Sequence, residues 1–174
     1  DGSLIPALDV VGKGYEAGTL FLPQLLMSAE AAKAAFTAIS EHLAAKGEVQ
    51  AKKGRMILAT VQGDIHDIGK NIVKALLQNY GYDVIDLGKD VPVQTVVDAA
   101  VREDIRLVGL SALMTTTVAS MEATIKALHA ALPGCRVMVG GAVLNREYAG
   151  MIGADRYVSD AMASVHYAQE VFGA

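Results

Sequence analysis

One cysteine, four prolines, no tryptophan and only 5% aromatic residues leave this chain little with which to staple or kink itself. With Cys135 alone no internal disulfide can form, and no charged-apolar-small leader opens the sequence, so a reducing, cytoplasmic setting is expected. Cys135 sits in a strand-like run and reads as a small buried residue rather than a nucleophile. No apolar run approaches the roughly 18 residues of a membrane-spanning helix. Positive charge is scarce as well. Fifteen Lys and Arg face nineteen Asp and Glu, a net charge of −4, which argues against gripping nucleic acid through bulk charge. No basic DNA-binding helix pair, internal repeat or low-complexity tract is present.

What the chain has in quantity is apolar residues, 52% of 174, which excludes a disordered chain and suits one α/β domain with a small accessory piece. Leu4, Ile5, Leu8 and Val11 recur at helical spacing before Gly12, Gly14 and Gly18 interrupt. Pro23 can open a second helix, with Leu25, Leu26, Ala29, Ala32, Phe36, Ile39 and Leu43 on one stripe. Residues 47–54, with Lys46, Lys52, Lys53 and Arg55 around them, read as an exposed linker.

From Arg55 onward short apolar runs alternate with amphipathic stretches, the pattern of a parallel sheet wrapped by helices. Strands are expected at 56–61, 83–87, 107–110 and 136–139, with a short one at Tyr157 and Val158. Ile72, Val73, Leu76 and Leu77 mark one helix, Val93, Val96, Val97, Ala100 and Val101 a second, and Val118, Met121, Ile125, Leu128 and Leu132 a third. Ligands of such sheets bind beyond the carboxyl ends of the strands, so the informative residues should lie at 62–70, 88–91, 111–117 and 140–145.

The first of these loops reads Gly63-Asp64-Ile65-His66-Asp67-Ile68-Gly69-Lys70, with neither a dinucleotide fingerprint nor a P-loop ending. An Asp two residues before a His can accept from one ring nitrogen, which fixes the tautomer and frees the other nitrogen for a metal or a proton. A histidine whose charge is merely offset by neighbouring Asp residues at a helix start is the plainer alternative. Lys70 and Asn71 open the following helix, as caps or as supports of the loop. Ser111, Thr115, Thr116 and Thr117 place four hydroxyls after one strand, where at least one should cap the next helix. Gly140 and Gly141 end another strand, either to make a turn or to let a ligand lie against bare backbone.

Asp64-X-His66-X-X-Gly69, then Ser111-X-Leu113, then Gly140-Gly141, in this order and at this spacing, resembles the signature of the cobalamin-binding domain of corrinoid-dependent methyltransferases and mutases. The resemblance spans nearly the whole chain. Phe21-Leu22-Pro23-Gln24 is similar to part of the helical cap of the methyltransferase branch, and the run from Gly109 to Leu144 is most similar to the methionine synthase type. It implies a flavodoxin-like (Rossmann-like), doubly wound, five-stranded parallel sheet over 51–174, preceded by a partial helical cap over 1–50. The cap looks short, with Asp1-Gly2 resembling a place inside the helical region, so a truncated module is expected.

The resemblance further implies that His66 is the lower axial ligand of cobalt in place of the cofactor's own base, with Asp64 and Thr117 completing a proton relay. The displaced nucleotide tail would thread beside Ser111, Leu113, Gly140 and Gly141, with Thr115 near the corrin and Ala161 at a further cofactor position. Gly63, Ile65, Asp67 and Gly69 belong to the same cofactor-binding loop. Tyr15 and Leu22 match positions that cover the upper, methyl-bearing face, although both could be plain bundle core. The implied function is a methyl carrier cycling between methylcobalamin and cob(I)alamin, incomplete as a catalyst alone. Partner domains or subunits would hold the methyl donor and acceptor, and a reductive activation partner would restore the cofactor.

Homocysteine as final acceptor, in a methionine synthase-type system of methionine biosynthesis, is the leading expectation. The alternative is a stand-alone corrinoid protein of a methanol, methylamine or aryl-ether system. A cobalamin sensor would need an output element, an adenosylcobalamin mutase module would lack the cap, and a plain flavodoxin-like domain would carry the motifs by accident. His42, His129 and His166 each stand alone in helices and read as surface or packing residues, as the methionines, Met114 included, read as packing. Neither nucleic acid nor membrane is an expected partner.

Overall fold

The computed structural model describes residues 4–45 and 52–173. Most of the expected linker, the expected boundary between 50 and 51, and Asp1-Gly2 lie outside the described residues. Helix α1 spans Leu4–Glu16 and α2 spans Leu22–Ala45. There follow β1 (Arg55–Thr60), α3 (Ile68–Asn79), β2 (Asp83–Asp86), α4 (Val93–Arg102) and β3 (Leu107–Ser111). A 3₁₀ turn at Thr115–Thr117 leads into α5 (Val118–Ala131), then β4 (Arg136–Gly140), α6 (Arg146–Met151), β5 (Arg156–Tyr157) and α7 (Ala161–Phe172).

All five strands are parallel, in the order β2-β1-β3-β4-β5. This is the flavodoxin-like order, and the connections leave β1 and β3 in opposite directions, which opens a crevice at their carboxyl ends. The expected architecture is thus the observed one. Val108 of β3 is registered with Ile57 of β1 on one side and Val137 of β4 on the other, and these strands are apolar between their terminal residues because helices cover both faces. Strands β3 and β4 each run one residue beyond the expected end, so Ser111 and Gly140 are terminal strand residues paired with each other.

On one face Ile57, Val108, Leu110, Val137 and Val139 pack under α4, α5 and α6. On the other, Met56, Leu58, Leu107 and Met138 pack under α3 and α7, over which Leu8, Leu25, Ala29 and Ala32 lay the first two helices. Leu26 and Ile39 of the expected stripe are half-buried, while the side chains of Phe36 and Leu43 lie outside the described set. Helix α2 starts one residue before Pro23: the Gln24 side chain accepts from Phe21 N at 2.8 Å, half of a capping box, and leaves proline in the first turn where its missing N–H costs nothing. The short α6 escaped the periodicity reading because six residues carry no repeat; its signal is Asn145, whose Oδ1 accepts from Tyr148 N at 2.7 Å. Leu132, expected on the third helix, lies just past the end of α5. Among the described residues no helix is long and apolar enough to cross a membrane.

Cys135 is buried just before β4, and burial, aided by the negative charge of Asp155, pushes its thiol up to about 11. The thiolate is the reactive form. Native protein at pH 8 should therefore react with iodoacetamide far more slowly than protein unfolded in urea, where the thiol titrates near 8.5. Equal rates of label uptake, followed by mass spectrometry, would show Cys135 to be accessible instead.

Candidate functional site

The carboxyl ends of β1, β3 and β4 come together, with Thr60 Oγ1 and Ser111 Oγ 2.8 Å apart across the crevice. The chain leaves β1 through a tight turn in which Asp64 N donates to Val61 O and Gly63 takes a φ of 88°, a left-handed conformation that favours glycine. This turn drives the Asp64 side chain inward until none of it is exposed. One carboxylate oxygen, Oδ1, accepts from His66 N at 3.0 Å and lies 2.8 Å from His66 Nδ1. The other, Oδ2, accepts from Leu113 N at 2.7 Å and from Met114 N at 3.2 Å, and lies 3.1 Å from Thr117 Oγ1.

These bonds decide the charge. Burial pushes the Asp64 carboxyl upward, but the backbone N–H groups of His66 and Leu113, the His66 ring and Met114 N together hold it well below the usual carboxylate range. An ionised carboxylate only accepts, so the His66 ring must present a proton on Nδ1, and its lone pair is then on Nε2. That nitrogen makes no hydrogen bond among the described residues, and the ring is about half exposed, its side chain at 45%. The Thr117 hydroxyl lies 2.8 Å from Met114 O and 3.1 Å from Asp64 Oδ2; with one proton to give, it can turn between them.

Around His66 the surface is apolar. Ile65, Ile68 and Leu113 are exposed at 61%, 78% and 43%, an uncommon concentration of large side chains in water on one rim. Beneath the rim a cavity of about 590 Å³ runs between the sheet and α3 and α7. Leu58, Gly109 and Met138 form its sheet side, Gly69, Lys70 and Val73 its α3 side, and Val158, Ala161 and Ser164 its far side, while Tyr15 and Leu22 reach it from the first two helices. Of the expected cofactor-binding residues, Tyr15, Leu22, Ile65, His66, Asp67, Gly69, Ser111, Leu113, Gly140, Gly141 and Ala161 line this space. Gly63, Asp64 and Thr117 stand behind its wall as supports, and Thr115 opens the 3₁₀ turn on the exposed side, off the cavity.

The paired glycines have a stricter reason than a turn. A Cβ on Gly141, at a φ of 137°, would lie 1.8 Å from Ala112 O, and one on Gly140 would lie 3.2 Å from Val158 Cγ2. Gly141 lets the end of β4 approach the loop after β3, so its first service is to the protein's own backbone. Gly109 went unread, although a glycine inside a strand signals close approach. A Cβ there would meet Leu58 Cδ2 at 2.5 Å and Met138 Cε at 2.9 Å, in the floor of the cavity. Lys70 is buried and lines the cavity, its Nζ bonded to Asp86 Oδ1 and to Asn71 Oδ1; Asp86, at the end of β2, carried no local motif. Two histidines expected to stand alone have partners. His129 Nε2 is 2.9 Å from Asp155 Oδ2 and His166 Nε2 is 2.8 Å from Glu16 Oε1, both acids too distant in sequence to be seen as neighbours. Neither pair touches the cavity. His42 lies exposed in the last turn of α2.

Two family models match, each described as a B12 binding domain, one over residues 54–166 and one over residues 1–40. Dimethylamine corrinoid protein 1 of Methanosarcina acetivorans is 39% identical over 170 residues, 97% of this chain and 79% of that protein. A solved cobalamin-binding protein from Desulfitobacterium hafniense superimposes with a TM-score of 0.80 at 33% identity, covering 94% of this chain and 77% of its own. The methanol:cobalamin methyltransferase complex MtaBC of Methanosarcina barkeri gives 0.78 at 32% identity, with 99% and 66% covered.

Asp64 makes the protein acid-sensitive in a defined direction. Its carboxyl is depressed in the fold, so its contribution is complete above the ordinary value near pH 4 and is lost as the pH falls through the lower folded value. Urea midpoints measured from pH 7 downward should fall below about pH 4 for the wild type. Asp64→Asn should be less stable at pH 7 and show a flatter acid limb, and an unaltered limb would mean that another group sets it. Gly141→Ala, forced against Ala112 O in a conformation closed to alanine, should lower stability by at least about 2 kcal/mol in the same titration.

Proposed function

The chain belongs to the B12-binding corrinoid proteins and takes cobalamin as its cofactor, and from that premise we propose that it is a methyl-carrying subunit serving methyltransferases that act on small methylated amines or alcohols. The relatives named above support this alternative over the methionine synthase type, so homocysteine as acceptor and a place in methionine biosynthesis are not carried forward. The motifs did not discriminate because both types hold the same cofactor, and what differs is the partner.

The observation that carries the reading is the bare Nε2 of His66, its tautomer set by a buried, ionised Asp64, at the mouth of an apolar cavity. The residues present suit cobalamin. A neutral imidazole nitrogen is a fit donor for cobalt. The exposed Ile65, Ile68 and Leu113 offer apolar contact to a flat macrocycle, and a cavity of about 590 Å³ with glycine in its walls suits a nucleotide tail. His66 would hold the cobalt through Nε2. Ser111, Leu113, Gly140, Gly141 and Ala161 would hold the tail, Gly63, Ile65, Asp67 and Gly69 would shape the loop, and Tyr15 and Leu22 would face the cofactor from the cap. Thr115, off the cavity wall, is left to contact peripheral groups of the corrin.

When bound, cobalamin supplies a cobalt that accepts a methyl group and passes it on. The protein's share is to hold and release one nitrogen. With Nε2 on the metal, Asp64 would keep the proton on Nδ1 and hold the ring in its orientation. On release the half-exposed ring would stay anchored by the carboxylate 2.8 Å from Nδ1, which the Thr117 hydroxyl can turn toward or away from. In this reading residues 1–50 form the cap and 51–174 the cofactor domain. Methyl-donor and methyl-acceptor methyltransferases and a reductive activation partner take turns at the upper face, in a cytoplasmic setting.

Loaded with cob(II)alamin, the wild type carrying 15N-labelled histidine should show the two-line superhyperfine splitting of a 15N ligand in its electron paramagnetic resonance spectrum, and His66→Gly should lose it. Unchanged nitrogen ligation in the variant would remove His66 from the role. Asp64→Asn should still bind cobalamin but weaken histidine ligation at neutral pH by about tenfold or more, as loss of an outer-sphere partner does. For the substrate, a methylamine- or methanol-directed methyltransferase should convert the reduced, loaded protein to its methylated absorbance spectrum. Efficient demethylation by a homocysteine methyltransferase alone would restore the methionine synthase reading.

A further inference from the structure

The loop after β2 lies against the histidine-bearing loop and ties down the chain on both sides of His66. Thr60 N donates to Gly88 O at 3.0 Å and Val91 N to Thr60 O at 3.1 Å, so residues 88–91 run beside the end of β1. Between them Asp90 takes a φ of 53°, a left-handed conformation that only glycine, asparagine and aspartate adopt readily. Its Oδ1 accepts from Gly63 N at 2.7 Å, and its own N donates to Asp64 O at 2.9 Å. The Asp90 residue therefore grips the Gly63 amide with its side chain and the Asp64 carbonyl with its backbone. At the other end, Asp86 Oδ1 accepts from Gly88 N at 2.9 Å and from Lys70 Nζ, in the first turn of α3.

We propose that Asp90 is a positioning residue for His66, holding the Gly63-Asp64 main chain so that the Asp64 carboxylate points the imidazole outward. The inference rests on the reading of His66 as the axial ligand. Its physical ground is that Asp64 is fastened on its carboxylate side by Leu113 and Met114, whereas its main chain is fastened by Val61 O and by Asp90. A turn built on a glycine at positive φ has no side chain of its own to lock it, and the Asp90 carboxylate supplies that lock from outside the loop. Glycine at position 90 would satisfy the backbone but offer no acceptor, and asparagine would satisfy both requirements, which makes the two substitutions a clean pair.

Asp90→Gly and Asp90→Asn are compared with the wild type in the full chain. Without cofactor, hydrogen–deuterium exchange of residues 63–66 is followed by mass spectrometry; loaded with cob(II)alamin, the ratio of histidine-ligated to released cobalt is read by electron paramagnetic resonance. In Asp90→Gly exchange should quicken and the ligated ratio fall several-fold, up to about tenfold, with the melting temperature close to that of the wild type. Asp90→Asn should restore both. Wild-type exchange and ligation in Asp90→Gly, or failure of asparagine to restore them, would overturn the proposal. Absence of histidine ligation in the wild type would overturn the reading of His66 alone, and the exchange comparison would then decide the Asp90 claim on its own.

Discussion

A single buried carboxylate organises the site. Asp64 accepts from two residues of the loop after β3, from the amide and ring of His66, and sits within reach of Thr117, so one side chain joins the ends of two strands and the start of α5. An unpaired charge at zero exposure would be strongly destabilising, and the surrounding donors remove that cost only in one arrangement. The need to satisfy the carboxylate is therefore what fixes the histidine. The ring does not select its tautomer or its direction; the anion behind it does.

The sheet makes such an arrangement possible. Because β1 and β3 are neighbours whose connections depart to opposite faces, Asp64 on one loop and Leu113 on the other meet at the point where the crevice opens. Small residues then clear the space below. Gly109 makes room in the floor of the cavity for the side chains of Leu58 and Met138, and Gly141 lets β4 end hard against the loop after β3. The Lys70–Asp86 pair braces the α3 side, joining the first turn of α3 to the end of β2, and Lys70, Gly88 N and Lys74 together keep the partly buried Asp86 ionised. The first two helices add Tyr15 and Leu22 to the same space by packing over α3 and α7.

Much of this was legible in the chain. Alternating apolar periods located four of the strands to within a residue or two, and the helices named at that level are present; α6 was too short to show a period. Asp64, His66, Ser111, Gly140 and Gly141 stood out because a carboxylate two residues from a histidine and glycines at a strand end are local chemical patterns. Asp86 and Asp90 did not, since each reads alone as an ordinary loop acid, and their partners Lys70 and Gly63 lie on another strand's connection. The pairing of His129 with Asp155 and of His166 with Glu16 was hidden for the same reason. Likeness to the methionine synthase type over Gly109 to Leu144 misled about the system served, because that stretch contributes to the walls of the cavity and says nothing of the partner.

The sequence by itself determined the fold class through its periodicity and the cofactor through the family resemblance of its motifs, and it singled out His66 beside Asp64, since these patterns are written along the chain. Only the tertiary structure decided which nitrogen of His66 is free, that Asp64 is ionised, and that Asp90 and Asp86 hold Gly63 and Lys70, on either side of His66, from outside the loop. Those properties depend on donors and charges brought within about 3 Å by strand order, and no local pattern encodes a distance between segments that meet only when the sheet closes around them.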